Sequence, residues 1–297
     1  MQDLIEYIAR NITITAIVLG LLPRTAHADP SVLYGEDHRL DIFEAAHLPE
    51  AQEWARSTAL VVHKQNLSLI GDRYVARSAT YGPSFGLCSS ERFFDQPLVG
   101  YCSSFLVNAD TVVTAGHCVQ NNFDCRNTAF VFDYGYQDGI TRLNNFDGEQ
   151  VYFCKTLVKN VLDARNGNDF SIIKLDRAVI GREPLRVRTS GEIADHAPLT
   201  VVGNPSGLPT KIASGAFVRS ASAKNHFTAN LDTFEGNSGS AVFHSETGLV
   251  EGILVRGEED FVSDSTSGCR KSKRCADAEC RGETVIRATE FAKYIVD

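Results

Sequence analysis

No run of about 20 apolar residues, the length a membrane-spanning helix needs, occurs in these 297 residues, so no membrane anchor is expected. The nearest approach, Ile12 to Leu22, is too short. A basic stripe is missing as well. Against 29 Lys and Arg stand 37 Asp and Glu, and a formal net charge of -8 argues against a nucleic-acid partner, which would need clustered cations for its phosphates. The one dense basic run, Arg270-Lys271-Ser272-Lys273-Arg274, lies between cysteines and reads as a solvated loop. Internal repeats and low-complexity linkers are absent. Close CxxC pairs are absent too, which speaks against a zinc site made from Cys269, Cys275 and Cys280. Neither a metal nor an organic cofactor is expected.

What is there describes an ordinary globular chain, 43% hydrophobic and 22% charged. Residues 1–28 read as an export signal, with the apolar stretch from Ile12 to Leu22 followed by Ala26-His27-Ala28, a small-x-small pattern that signal peptidase accepts. Export predicts a secreted or periplasmic location, and an oxidising compartment lets the eight cysteines form disulfides. Residues 29–56 are polar, with a helix expected around Leu48 to Arg56, and read as a propeptide or N-terminal arm.

From Ser57 the texture changes to short β-rich runs separated by Gly, Asn, Asp and Pro. They include Thr58 to Val62, Ser103 to Val107, Thr111 to Thr114, Ala129 to Phe132, Phe170 to Leu175, Leu199 to Val202, Ala241 to Phe243 and Leu249 to Val255. Such spacing predicts an all-β sandwich or barrel in a single domain over residues 57–297. A cysteine-rich tail from Ser267 to Gly282 and a short C-terminal helix from about Glu290 complete it.

Three local strings carry chemistry. Thr114-Ala-Gly-His-Cys118 puts His117 at the end of a strand, where a cleft mouth would lie. Asn168-Asp169-Phe-Ser-Ile-Ile-Lys-Leu175 opens an alternating strand with a carboxylate, with Asp163 and Asp176 as competitors. Asp232-Thr-Phe-Glu-Gly-Asn-Ser-Gly-Ser240 holds Ser238 in a glycine-flanked turn. A serine hydroxyl is a weak nucleophile at neutral pH and needs a neighbouring base and donors for the oxyanion that follows. The order His, Asp, Ser differs from that of α/β-hydrolases and subtilisins. Ser240 also spoils a G-x-S-x-G elbow.

Together the three strings resemble the trypsin-like, chymotrypsin-fold serine peptidases over roughly Ser57 to Val255, and the GNSGS string is similar to their bacterial branch near the glutamyl endopeptidases. The resemblance implies two six-stranded antiparallel β-barrels with a catalytic cleft between them. It also implies Ser238 as nucleophile, His117 as proton carrier, Asp169 as the group that orients His117, and the backbone N–H groups of Gly236 and Ser238 as oxyanion donors. The substrates would be peptides or proteins, cut through an acyl-enzyme. Because the base must be neutral, activity is expected to fall below about pH 6–7, near the histidine reference value. A Cys102–Cys118 disulfide is implied by the family; Cys125–Cys154 is a plausible second bridge, and Cys88 is expected to tie to the segment from Cys269 to Cys280.

Departures from the family are informative. Asn237 stands where trypsin has the aspartate that pairs with a freed N-terminus, and no Arg/Lys-Ile-Val-Gly-Gly activation string is present. Asp232 matches trypsin's basic-selecting aspartate in position, whereas Thr233 matches a threonine that recognises glutamate in the bacterial branch. Leu254 takes the place of that branch's histidine, and Arg256 nearby could bind a carboxylate in its stead. The pocket formed by Asp232, Thr233, Leu254 and Arg256 is therefore open to either sign of substrate. The alternative function is a catalytically silent peptidase homologue that binds protein partners through the same cleft.

Overall fold

The computed structural model describes residues 33–138, 143–163 and 165–295. The export signal expected over residues 1–28 lies outside the described residues, as does the start of the arm. Among the described residues no helix is long and apolar enough to cross a membrane.

Two antiparallel barrels make up the core. In the first, Thr58–His63 pairs with Cys102–Asn108, then Thr111–Thr114, Asp169–Leu175, Val151–Leu162 and Thr128–Phe132, which returns to Thr58–His63 and closes the ring. The unbroken apolar run at Thr58–His63 is explained by burial on both faces. Ala59 and Val61 join the main core, while Leu60 and Val62 pack with Val99, Val131 and Phe146 in a smaller cluster.

The second ring runs Pro198–Gly203, Ala241–His244, Val250–Arg256, Glu283–Arg287, His226–Ala229 and Lys211–Ser220, and the pairing of the last with the first closes it. Leu199, Val201, Phe227, Val242, Leu254 and Val285 fill its interior. The chain is therefore all-β with two six-stranded barrels. Its short C-terminal helix, Ala288–Phe291, begins slightly earlier than expected and buries Phe291 against Phe105 and Phe170 of the first barrel.

The arm is built into this body. Arg39–Asp41 adds a seventh strand beside Lys211–Ser220, and Leu33–Tyr34 pairs in parallel with Arg274–Cys275. Lys211 Nζ, itself buried, reaches Asp41 Oδ1 at 2.5 Å. The fully buried Arg39 donates to both carboxylate oxygens of Asp37 at 2.9 Å, and its guanidinium stacks 4.0 Å from the centroid of Phe234. The following helix, Pro49–Arg56, uses proline in its first turn, where the missing N–H costs nothing. It stacks Trp54 on Phe243 of the second barrel before the chain enters the first.

Four disulfides join Cys88 to Cys269, Cys102 to Cys118, Cys125 to Cys154 and Cys275 to Cys280. All eight thiols are consumed, so Cys269, Cys275 and Cys280 offer no thiolate to a metal.

Candidate active site

His117 follows the strand Thr111–Thr114 on a tight loop that must lie against the start of Asp169–Leu175. Gly116 makes the approach feasible, because a Cβ there would fall 2.4 Å from the Val161 carbonyl oxygen and 2.8 Å from the Phe170 nitrogen. Two polar side chains hold the loop's carbonyls: Asn160 Nδ2 donates to Gly116 and Val119 at 2.8 and 3.2 Å, and Ser171 Oγ donates to Val119 at 2.8 Å. Neither is legible in the sequence, since both act across strands.

Asp169 is nearly sealed from solvent, its side chain 3% exposed against 35% for His117. Its two oxygens divide their work. Oδ1 accepts the His117 backbone N–H at 2.9 Å, and Oδ2 lies 2.8 Å from His117 Nδ1. That bond fixes the ring's rotation and directs Nε2 away from the carboxylate. Arg256 places a guanidinium nitrogen 3.8 Å from the same Oδ2 while donating to the Gly167 carbonyl at 3.3 Å.

Ser238 sits between Gly236 and Gly239, which adopt φ of +91° and +90°, a region that side chains with a Cβ enter only at a cost. A Cβ at Gly239 would also lie 2.1 Å from the Ser103 carbonyl oxygen. Among the described residues the N–H groups of Gly236 and Ser238 are bonded to no protein acceptor. Ser103 clips this loop to the first barrel. Its N–H donates to the Ser238 carbonyl at 2.8 Å, its Oγ to the Gly236 carbonyl at 3.3 Å, and its own carbonyl accepts Thr114 Oγ1 at 2.6 Å. The Ser238 carbonyl oxygen lies 3.8 Å from Cys118 Sγ, so the serine loop abuts the residue next to His117. Asn237 turns inward to accept Ser240 Oγ at 3.1 Å.

A cavity of about 500 Å³ opens beside Ser238, walled by Thr233, Leu254, Arg256 and Gly257. Asp232 does not line it. Its carboxylate is buried and accepts the Tyr34 N–H at 2.7 Å and the His38 N–H at 2.9 Å, with His38 Nδ1 at 3.0 Å. Burial raises its pKa, and the bonds from His38 and Tyr34 work against that rise. Five other carboxyls do line the cavity, Glu235, Glu258, Glu259, Asp260 and Glu283. Burial pushes Asp260 up to about 7, with Glu235 adding to the rise, and it holds Glu283 well above the ordinary carboxylate range. A second cavity, about 410 Å³, is lined by His117, Tyr101 and Phe123 among others.

A cleft between two antiparallel six-stranded barrels, with a carboxylate-bound histidine on one wall and a glycine-flanked serine on the other, defines the chymotrypsin-type serine peptidase fold. The chain belongs to the trypsin-like peptidase domain family, whose model it matches over residues 102–253. No curated protein sequence matches it. Among solved structures it is similar to the VesB protease of Vibrio cholerae, with a TM-score of 0.50 and 14% identity, over 82% of this chain and 64% of that one. It is similar also to HBP, with a TM-score of 0.50 and 13% identity over 82% and 90% of the two chains. At such identities the likeness extends to the fold alone, and the chain spans less than two thirds of the Vibrio protease.

Proposed function

We propose that the chain is an exported serine endopeptidase that cuts peptide bonds through Ser238, His117 and Asp169. The observation that carries this reading is the 2.8 Å bond between His117 Nδ1 and the buried Asp169, on a loop that abuts the Ser238 turn. Residues 1–28 would direct export, and four disulfides suit the oxidising compartment beyond it.

In the first half-reaction Ser238 Oγ bonds to the substrate carbonyl carbon as its proton passes to His117 Nε2. The carbonyl oxygen becomes an oxyanion facing the N–H groups of Gly236 and Ser238. Losing one such donor typically costs about 3–4 kcal/mol of transition-state stabilisation. Asp169 accepts the Nδ1–H of the imidazolium and steadies its charge. As the tetrahedral species collapses, the carbon–nitrogen bond breaks and His117 returns its proton to the leaving amine. Water then repeats the sequence against the acyl-enzyme and frees Ser238.

Labelling with a fluorophosphonate probe tests the proposal, since only an activated serine reacts. The native chain should label and Ser238→Ala should not. Native protein that stays unlabelled, also after limited proteolysis of the arm, would replace the enzyme by a partner-binding homologue of the same fold.

A further inference from the structure

The cavity beside Ser238 holds a carboxyl that no motif points to. Glu283 opens the strand Glu283–Arg287, which closes the second barrel, and it is 1% exposed. Its Oε1 has no hydrogen-bond partner among the described residues. Its carboxyl fits under the cavity wall because residue 257 is glycine; a Cβ there would fall 2.0 Å from Glu283 Oε2. Thr233 and the Glu258 backbone hydrogen-bond this carboxyl, yet a buried oxygen left without a partner in a cavity shared with the nucleophile is costly unless a guest completes it.

We propose that Glu283, rather than Asp232, is the specificity-determining carboxylate, and that the substrate side chain entering this cavity is a lysine or an arginine. This rests on the reading of Ser238 as nucleophile, because that reading makes the cavity the seat of the side chain before the cut bond. Asp232 is committed to the arm through Tyr34 and His38. The cations able to attract an acidic guest are committed as well. Arg281 donates to the Gly257 carbonyl and lies 3.5 Å from Glu258; Arg256 is held by Gly167 and Asp169; Arg270 donates to the Phe85 carbonyl at 3.4 Å. Lys273 Nζ, 3.2 Å from Glu258, completes the pairing at the rim.

Thr233, which the glutamate-binding alternative would require to face the guest, turns toward Glu283 instead. A carboxylate guest would meet Glu283 and Asp260 together, and an apolar guest would leave Glu283 Oε1 orphaned. A lysine or arginine stem can lie along Leu254 and Phe234 while its head reaches the carboxyl. The groups that bear most on Glu283 are Thr233, Glu258 and Asp260, with Tyr34 of the arm beside them, and the arginines of the same cavity, Arg256, Arg270 and Arg281, are held by the partners named above. A cationic guest therefore favours the ionised form that burial opposes, so its affinity should rise with pH through the range in which Asp260, held at about 7, also ionises.

The test uses p-aminobenzamidine, an amidinium whose fluorescence rises in an apolar site, titrated into the full chain carrying Ser238→Ala so that binding is read without turnover. Binding at pH 8 should weaken about 30-fold or more when Glu283→Gln is added, the scale for removing one member of a buried charge pair. It should change little with Asp232→Asn, and in the Ser238→Ala chain it should weaken as pH falls to about 5.5. Fluorophosphonate labelling of Glu283→Gln in the native-serine chain verifies that this variant folds. Should it not fold, Glu283→Asp serves, and weaker but retained amidinium binding is expected. Unchanged binding in Glu283→Gln, loss in Asp232→Asn instead, or preferential cleavage after glutamate by the native chain overturns the proposal. Amidinium binding without labelling of the native chain would uphold the pocket and remove the peptidase; labelling without amidinium binding would do the reverse.

Discussion

Asp169 serves His117 twice, through the backbone N–H and through the ring, so replacing one oxygen by an amide disturbs the ring's tautomer more than its position. Asp169→Asn should keep the fold and lower kcat for peptide cleavage by about 10⁴-fold. An unaltered kcat in a stopped assay of purified enzyme would remove Asp169 from the machinery. Asp260 makes a different kind of prediction. Its folded pKa of about 7 exceeds the ordinary 3.8, so between these values the folded chain holds a proton that the unfolded chain has lost. Stability should therefore fall as pH rises from about 4 to about 7 and level off above, opposite to a salt-bridged aspartate. Thermal unfolding at pH 5 and pH 8 measures this, and Asp260→Asn should shrink the difference between the two midpoints. Ser103 is a third case. Its Oγ donates to Gly236 and accepts from the Asn204 N–H at 2.9 Å, and Ser103→Ala leaves both groups buried and unpaired. The cost should be about 1–3 kcal/mol in urea unfolding, with slower labelling of Ser238 because the loop loses its clip.

At the scale of elements, the arm is the part whose role its composition leaves most open. Its polarity invites a detachable segment, yet Arg39 is sealed between Asp37 and Phe234, and Asp41 meets the buried Lys211. Arg39→Ala takes the two-pronged partner from the buried Asp37 and leaves it Arg92 at 3.6 Å, and should cost about 3 kcal/mol, read as a lowered midpoint of chemical unfolding. Strands with continuous or alternating apolar patterns, such as Thr58–His63 and Asp169–Leu175, are legible in the sequence because burial dictates their composition. Val151–Leu162 is less so, since register shifts at Cys154/Thr156 and Leu157/Lys159 break its period of two. Glu283–Arg287 is hidden by its place after a cysteine-rich tail. The three site strings are legible because their chemistry is local. The second use of Asp232 is not, because its partners Tyr34 and His38 lie nearly two hundred residues away.

For the molecule as a whole, the disulfides differ in what they enclose. Cys88–Cys269 spans 181 residues and ties the first half of the chain to the tail, whereas Cys275–Cys280 spans five. On loop-closure grounds, replacing the first pair by serine should cost more stability, about 2–5 kcal/mol, and the second pair less, as calorimetry on the two double variants would register. Equal losses would mean that local strain, and not chain entropy, governs both. The strand Glu283–Arg287 has a further consequence. It is hydrogen-bonded between Val250–Arg256 and His226–Ala229, so the second ring cannot close until residue 287 has been synthesised. A nascent chain thus carries Ser238 before the strand that closes the ring around it, and a chain cut short after residue 260 lacks that strand altogether. The order of translation thus sets the order of assembly, and the proposed nucleophile is made before the strand that completes its barrel.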